Sequence, residues 1–283
     1  MVARLAILWL VAFGCQAQPR RIVSTAPSIT EMLYALGLGD RVVGVTTFCH
    51  YPPEAARKPK IGNYLRPDIE AILALRPDLV IAETSMLRQS VSLARLKLKV
   101  LEVDDAKVSG IYESIRSIGR AAGAEARAEG LCATIRAGLD GLRDRTRGLA
   151  HPQVLFIVGR TPGRVEDLIA AGAGSYLGEL IALAGGVNVF EDAPVPYSKI
   201  GLEEILARNP DVIIDMGEMA QTVGVTEAQK REVVALWGRY PKLRAVEKSR
   251  VFAVASDIFV VPGPRVTEAA RQIAAMLHPE VAR

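Results

Sequence analysis

Residues 64–81, YLRPDIEAILALRPDLVI, return at residues 197–214 as YSKIGLEEILARNPDVII, at a constant offset of 133. Tyr64 meets Tyr197, Glu70 meets Glu203, Ile72-Leu73-Ala74 meets Ile205-Leu206-Ala207, and Pro77-Asp78 meets Pro210-Asp211. Helical amphipathicity explains the aliphatic matches but does not place Tyr, Glu, Pro and Asp in register as well. A weaker pair lies upstream: SITEMLYALGLGDRVVGV from Ser28 and SYLGELIALAGGVNVF from Ser175. Each reads as a short amphipathic helix stopped by glycine (Gly37, Gly185) and followed by a β-branched strand. The order is the same in both halves, so the chain is constrained to fold as two related lobes.

Within each lobe strands and helices alternate. RIVST (21–25), VVGVT, DLVIAE and KVLEVD (99–104) read as strands of the first lobe, with a helix expected between the last two. QVLFIVG, DVIIDM and RVFAVAS read as strands of the second, and a final helix runs from Val266 to Leu277. Ser28-Ile-Thr-Glu31 has the spacing of a capping box. This alternation predicts α/β lobes with parallel sheets flanked by helices. Between them, Leu131, Ile135, Leu139 and Leu142 share one face of a single helix of about 35 Å, weakened locally by Gly130, Gly138 and Gly141. The expected organisation is a leader over 1–17, an N-terminal lobe over 18–124, a stiff bridging helix over 125–148 and a C-terminal lobe over 149–283.

The N-terminus, MVARLAILWLVAFGCQAQ, carries one charge, Arg4, before an apolar run from Leu5 to Gly14 that is too short to span a bilayer. It reads as a secretory signal with cleavage after Ala17. The alternative is a lipoprotein signal in which Cys15 bears the lipid. Loss of Arg4 takes the net charge from +4 to +3. Lys and Arg are scattered among acids, which argues against nucleic acid as the partner. Cys49 and Cys132 could pair in an oxidising compartment, but a single pair without framework spacing does not require it.

In open parallel sheets ligands bind beyond the carboxyl ends of the strands. TAPS (25–28, with Pro27), TTFCHYPP (46–53), ETSM (83–86), GRTPG (159–163) and ASDIFVVPGPR (255–265) are the loops at those ends. Lobes that face each other bring these loops into one cleft, with Phe48, His50, Tyr51, Tyr64, Tyr197, Asp257 and Phe259 near its mouth. Cys49-His50 suggests a metal, but the remaining histidines, His151 and His278, lie far away and no HxxxH, HExxH or CxxC occurs. Adjacent residues of an extended loop also point in opposite directions. Cys49 is therefore read as a small buried hydrophobe, TTFCHYPP as a pocket wall, and no metal site is expected. No GxSxG, Walker loop or GxGxxG follows a strand, so no catalytic residue is named. Asp104-Asp105 reads as a capping and turn segment. Glu70 and Glu203 sit in the first turns of equivalent helices, where the dipole favours a carboxylate. As a matched pair they present one charge per lobe to a two-fold partner, which would answer with arginine.

RIVSTAPSITEMLYALGLGDRVVGVTTFCHYPPEA, followed by KIGNYLRPDIEAILALRPDLVIAE, resembles the periplasmic substrate-binding proteins of cobalamin and iron-siderophore ABC importers. The resemblance runs through the bridging helix to VPYSKIGLEEILARNPDVII. It implies two α/β lobes on a rigid helix, ligand held between them, and no catalysis. The corrinoid-binding branch is the nearest. In it Phe48, Tyr64 and Tyr197 fall at aromatic contacts, Asp257, Ile258, Phe259, Val260 and Val261 at a second-lobe ligand loop, and Glu70 and Glu203 at acids that dock on the permease dimer. No cofactor is implied; the cargo would be a cobalt corrinoid. A ferric siderophore or haem is the alternative, for which Arg160, Arg164 and Arg265 are candidate cleft cations. The implied location is extracytoplasmic, with membrane contact only through the permease or a lipid on Cys15.

Overall fold

The computed structural model describes residues 18–84, 98–217 and 226–280. The leader with Cys15, and the helix expected between the third and fourth strands, lie outside these described residues. The first lobe runs β1 (Ile22–Ser24), α1 (Pro27–Ala35), β2 (Val42–Gly44), α2 (Pro53–Ala56), α3 (Ile69–Ala74), β3 (Leu79–Glu83), β4 (Val100–Val103) and α4 (Val108–Ala122). Its sheet has the order β2-β1-β3-β4 with every pair parallel. The apolar runs of β1 and β3 are buried because helices cover both faces of a parallel sheet.

Gly123, at φ 66°, stops α4, and the chain turns directly into the bridging helix α5 (Glu125–Thr146). Ala128, Cys132, Ile135, Leu139 and Leu142 form its buried stripe. Each fully buried aliphatic side chain there contributes roughly 1.5–3 kcal/mol. Gly138 is where the final helix crosses: a Cβ there would lie 2.6 Å from the Thr267 side chain. Gly130 and Gly141 face open space. One core runs without a break from Ile22 in the first lobe through this stripe to Leu277.

The second lobe contains β5 (Gln153–Gly159), β6 (Leu168–Ala171), α6 (Tyr176–Leu183), β7 (Val187–Asn188), β8 (Tyr197–Ile200), α7 (Leu202–Arg208), β9 (Val212–Asp215), α8 (Glu227–Trp237), α9 (Arg244–Glu247), β10 (Val251–Ala253) and α10 (Val266–Leu277). The strand order is β10-β9-β5-β6-β8, with β7 also on β5. β5, β7, β9 and β10 are parallel, as expected, and β6 adds an antiparallel strand between β5 and β8. The two repeated helices, α3 and α7, begin at residues that differ by the same offset as the repeat.

Among the described residues, two polar ties join the lobes. Arg265, at the start of α10, donates through Nε to Glu31 Oε2 at 2.9 Å and through Nη2 to Glu31 Oε1, and its Nη1 donates to Asp257 at 3.1 Å. Its guanidinium carbon lies 4.1 Å from the Tyr51 ring centroid. Glu31 is thus no capping-box residue: α1 has no side-chain cap, and the carboxylate crosses to the other lobe. In the second tie, Glu179 of α6 accepts the Val108 amide at 2.7 Å, placing a carboxylate on the positive end of α4. Replacing Arg265 by Met leaves the Glu31 carboxyl buried without its partner. This should cost ~3–5 kcal/mol in urea unfolding, most of it at alkaline pH, and Glu31→Gln in the same chain should restore part of it. An unchanged midpoint for Arg265→Met would show that the pair does not hold the lobes.

Candidate functional site

A cavity of about 810 Å³ opens between the lobes at the carboxyl ends of the strands, within the range of small-molecule sites. The first lobe supplies Pro27 and Ser28 from the start of α1, Phe48 and His50 from the loop after β2, and Tyr64 from the approach to α3. Glu83 and Asp105 close its floor at the ends of β3 and β4. The second lobe supplies Val158 from β5, Tyr176 from the first turn of α6, Tyr197 from the start of β8, and Asp257, Val260 and Val261.

The loop TTFCHYPP takes its shape from Cys49. That side chain is fully buried, and its sulfur lies 3.1 Å from the Thr30 hydroxyl and 3.2 Å from that of Thr46. With Cys49 pinned inward at the end of a turn that its amide closes on the Thr46 carbonyl at 3.2 Å, its neighbours Phe48 and His50 are left exposed and line the cavity. Phe48 keeps 48% of its surface exposed while lining the cavity, and Tyr197 keeps 45%. Tyr197 is held on the opposite wall by the register of β8 on β6, where it faces Ala171. Tyr64 is more enclosed and donates its hydroxyl to Glu83 at 2.5 Å. Cys49 and Cys132 are both buried and do not pair.

Three residues named from the sequence do not line this cavity. Tyr51 stacks under Arg265, where the cation takes its ring face. Ile258 and Phe259 turn into the core, Phe259 packing edge to face on Phe156 with centroids 5.8 Å apart. An aromatic ring in a short 3-10 turn is stabilised more by that packing than by exposure in a cleft. The loop GRTPG is also absent from the wall, apart from the strand that leads into it.

The three arginines proposed as cleft cations are all committed elsewhere. Arg160 pairs with Asp215 at 3.0 Å inside the second lobe, where the Trp237 indole also donates to Asp215 at 2.7 Å. Arg164 pairs with Glu166 at the surface, and Arg265 belongs to the inter-lobe tie. No lysine or arginine lines the cavity among the described residues, whereas Glu83, Asp104, Asp105 and Asp257 do. Glu83 and Asp105 are the site residues that sequence reasoning passed over. Their position at the ends of adjacent parallel strands was the available signal. No group of three or more His, Cys, Asp or Glu among the described residues is placed to hold a metal ion.

Two lobes on a rigid helix, with one aromatic, acidic cavity between them, define a solute-binding protein. The family model described as periplasmic binding protein matches residues 22–258, and the chain belongs to that family, which serves ABC transporters by binding substrate and not by catalysis. The chain is 31% identical over 271 residues to an uncharacterized ABC transporter substrate-binding lipoprotein, YvrC, of Bacillus subtilis, covering 93% of this chain and 81% of that one. Among solved structures it is similar to the periplasmic vitamin B12 binding protein BtuF of Vibrio cholerae, with a TM-score of 0.78, 26% identity, and 94% and 99% of the two chains covered. It is also similar to the periplasmic heme-binding protein RhuT of a Roseiflexus species, with a TM-score of 0.73, 29% identity, and 93% and 99% covered.

Burial, with the charge on Glu83, pushes the Asp105 carboxyl from 3.8 up to about 7. Burial likewise pushes Glu31 from 4.5 up to about 7, against the pull of Arg265. A raised carboxyl holds its proton more tightly in the folded state. Its stabilising contribution is therefore complete below the unfolded value and is lost as pH rises through about 7. The thermal unfolding midpoint should fall across that interval, and Asp105→Asn should flatten the fall by removing one of the two groups. An unaltered slope in Asp105→Asn would remove Asp105 from this account.

Proposed function

We propose that the protein captures a corrinoid outside the cytoplasm and delivers it to the permease dimer of an ABC importer. The carrying observation is the make-up of the cavity: exposed aromatic faces from both lobes, Phe48 and Tyr197, and no cation among its described lining residues. A large, flat, nearly neutral macrocycle suits such walls. Haem carries propionates, and ferric siderophores commonly carry carboxylate or hydroxamate groups; both call for the convergent arginines that this cleft has placed elsewhere. The similarity to a vitamin B12 binding protein supports the same choice, and the leader with Cys15 supports export, by cleavage after Ala17 or by lipid attachment.

Glu70 and Glu203 support the delivery step. Each is the second residue of its helix, α3 or α7, each is exposed, and neither lines the cavity. Glu204, one position further on, pairs with Arg208 at 3.0 Å and so is the natural control. Changing Glu70 and Glu203 together to Ala should leave ligand affinity unaltered and abolish uptake in cells, while Glu204→Ala transports normally. Full uptake by the double variant would refute the docking role.

Calorimetric titration with cyanocobalamin tests the ligand, and saturable binding at one site is expected. Binding of haem but not of cyanocobalamin would overturn the corrinoid reading. Phe48→Ala and Tyr197→Ala should each weaken cyanocobalamin binding by roughly 1–3 kcal/mol with a smaller effect on thermal stability. His50 lines the cavity and is exposed, so His50→Ala tests its approach to the cobalt. A changed visible spectrum of bound cobalamin would show ligation, and an unchanged one would exclude it.

A further inference from the structure

Nine large apolar side chains stand exposed among the described residues, and two of them, Leu73 at 40% and Leu206 at 42%, fall at equivalent positions of the repeat. Each lies three residues after the acid of its helix, Glu70 in α3 and Glu203 in α7. At about 100° per residue, Glu70, Leu73 and Ala74 share an arc on the side away from the buried Ile72. Glu203, Leu206 and Ala207 repeat that arc opposite the buried Ile205. All six residues of the two arcs are exposed, and none lines the inter-lobe cavity. A helix that faces water normally turns polar residues outward. Here the outward face of both helices is one acid and two apolar residues. Neither acid forms an ion pair among the described residues, whereas Glu204 is spent on Arg208. A single exposed leucine needs no explanation. The same leucine, at the same distance from the same unpaired acid on both lobes, does.

We propose that Glu70-Leu73-Ala74 and Glu203-Leu206-Ala207 are two copies of one docking patch. Each seats on one subunit of the permease dimer, with its leucine in an apolar recess beside the arginine that meets the glutamate. This rests on the delivery reading above and names what that contact consists of. A carboxylate that meets an arginine steers the approach and fixes register, whereas apolar area taken out of water prolongs residence. The alanine, with almost no side chain, lets the two surfaces close around the leucine. Two patches related by the duplication match a partner whose own two-fold axis presents one surface twice. Duplication alone accounts for the matched letters, but not for leucines turned to water on both lobes.

The test places the photoreactive residue p-benzoylphenylalanine at Ala74 or at Ala207 of the full chain, in the cells that make it, and identifies adducts by peptide mass mapping. After illumination each position should give an adduct with an ABC permease subunit. The same probe at Val234, which is as exposed as Leu73 but lies off the repeat, should give none. Leu73→Gln/Leu206→Gln should cut the yield of both adducts roughly tenfold or more while the purified variant keeps the wild-type unfolding midpoint. If that midpoint falls, Leu73→Ala/Leu206→Ala takes its place with the same expectation. Glu70→Gln/Glu203→Gln should also cut both yields. Adducts lost with the glutamates but kept without the leucines overturn the apolar half of the patch and leave docking through the acids standing. Adducts that survive both double variants overturn the docking reading together with the patch. An adduct with a second copy of this chain or with another protein, a permease adduct from one position alone, or none from either overturns the paired patch.

Discussion

Arg265 and Glu31 lie 234 residues apart in the chain and meet in a site where the Glu31 side chain keeps only 3% of its surface. Removing two charges from water carries a large desolvation cost, and their attraction offsets it only when geometry and additional hydrogen bonds are both good. Here the fork of the guanidinium spans both Glu31 oxygens, Asp257 takes the remaining edge, and Tyr51 covers one face. Those partners come from α1, from the loop before α2, from the turn after β10 and from the start of α10. All four must be in place together, so the pair tolerates little change in the angle between the lobes. The shape of the cavity depends on that angle, since its walls belong to different lobes.

The repeat sets what such a device has to hold. Both halves keep the same helix at the same offset, with an acid at its second position and an aromatic residue six positions earlier. What surrounds those positions has diverged. Tyr64 is tied by its hydroxyl to Glu83, whereas Tyr197 opens the β8 strand and leaves nearly half of its surface free. Duplicated lobes on a shared helix α5, with one continuous core, already restrict sliding. The remaining freedom is a hinge across the cleft, and the Arg265–Glu31 and Glu179–Val108 ties act on it.

Most of the architecture was legible because the periodicities are local. The register of the repeat located α3, α7, β3 and β9, and the heptad-like stripe located α5. What escaped was decided by partners distant in the chain. Ser28 and Glu31 have capping-box spacing, yet Glu31 is drawn away by Arg265. Asp104-Asp105 reads as a turn, and Asp104 does accept the Ala106 amide at 3.0 Å, but the next side chain is carried under the sheet edge onto the cavity floor. Phe259 lies in a loop at the cleft, yet Phe156 offers it a packed ring. Orientation at such positions alternates residue by residue, and which member of a pair turns inward is set by tertiary packing that composition does not encode. Pro27, Phe48, His50, Asp257, Val260 and Val261 reached the cavity because they follow strand ends, a rule that holds for the topology as a whole, whereas Tyr64 and Tyr197 were located by the register of the repeat.

Rigidity and selectivity are linked in this arrangement. Aromatic faces such as Phe48 and Tyr197 contribute affinity with little regard for what a ligand's edges carry, since dispersion and area are nearly blind to direction. Discrimination must come from polar groups, whose satisfaction depends on what a ligand presents. A cleft free to open would let an unsuitable ligand shift away from such groups, or let water in to screen them, while it kept its aromatic contacts. A hinge held by a desolvated ion pair removes that escape, because a site that cannot relax makes a mismatched ligand bear the full penalty.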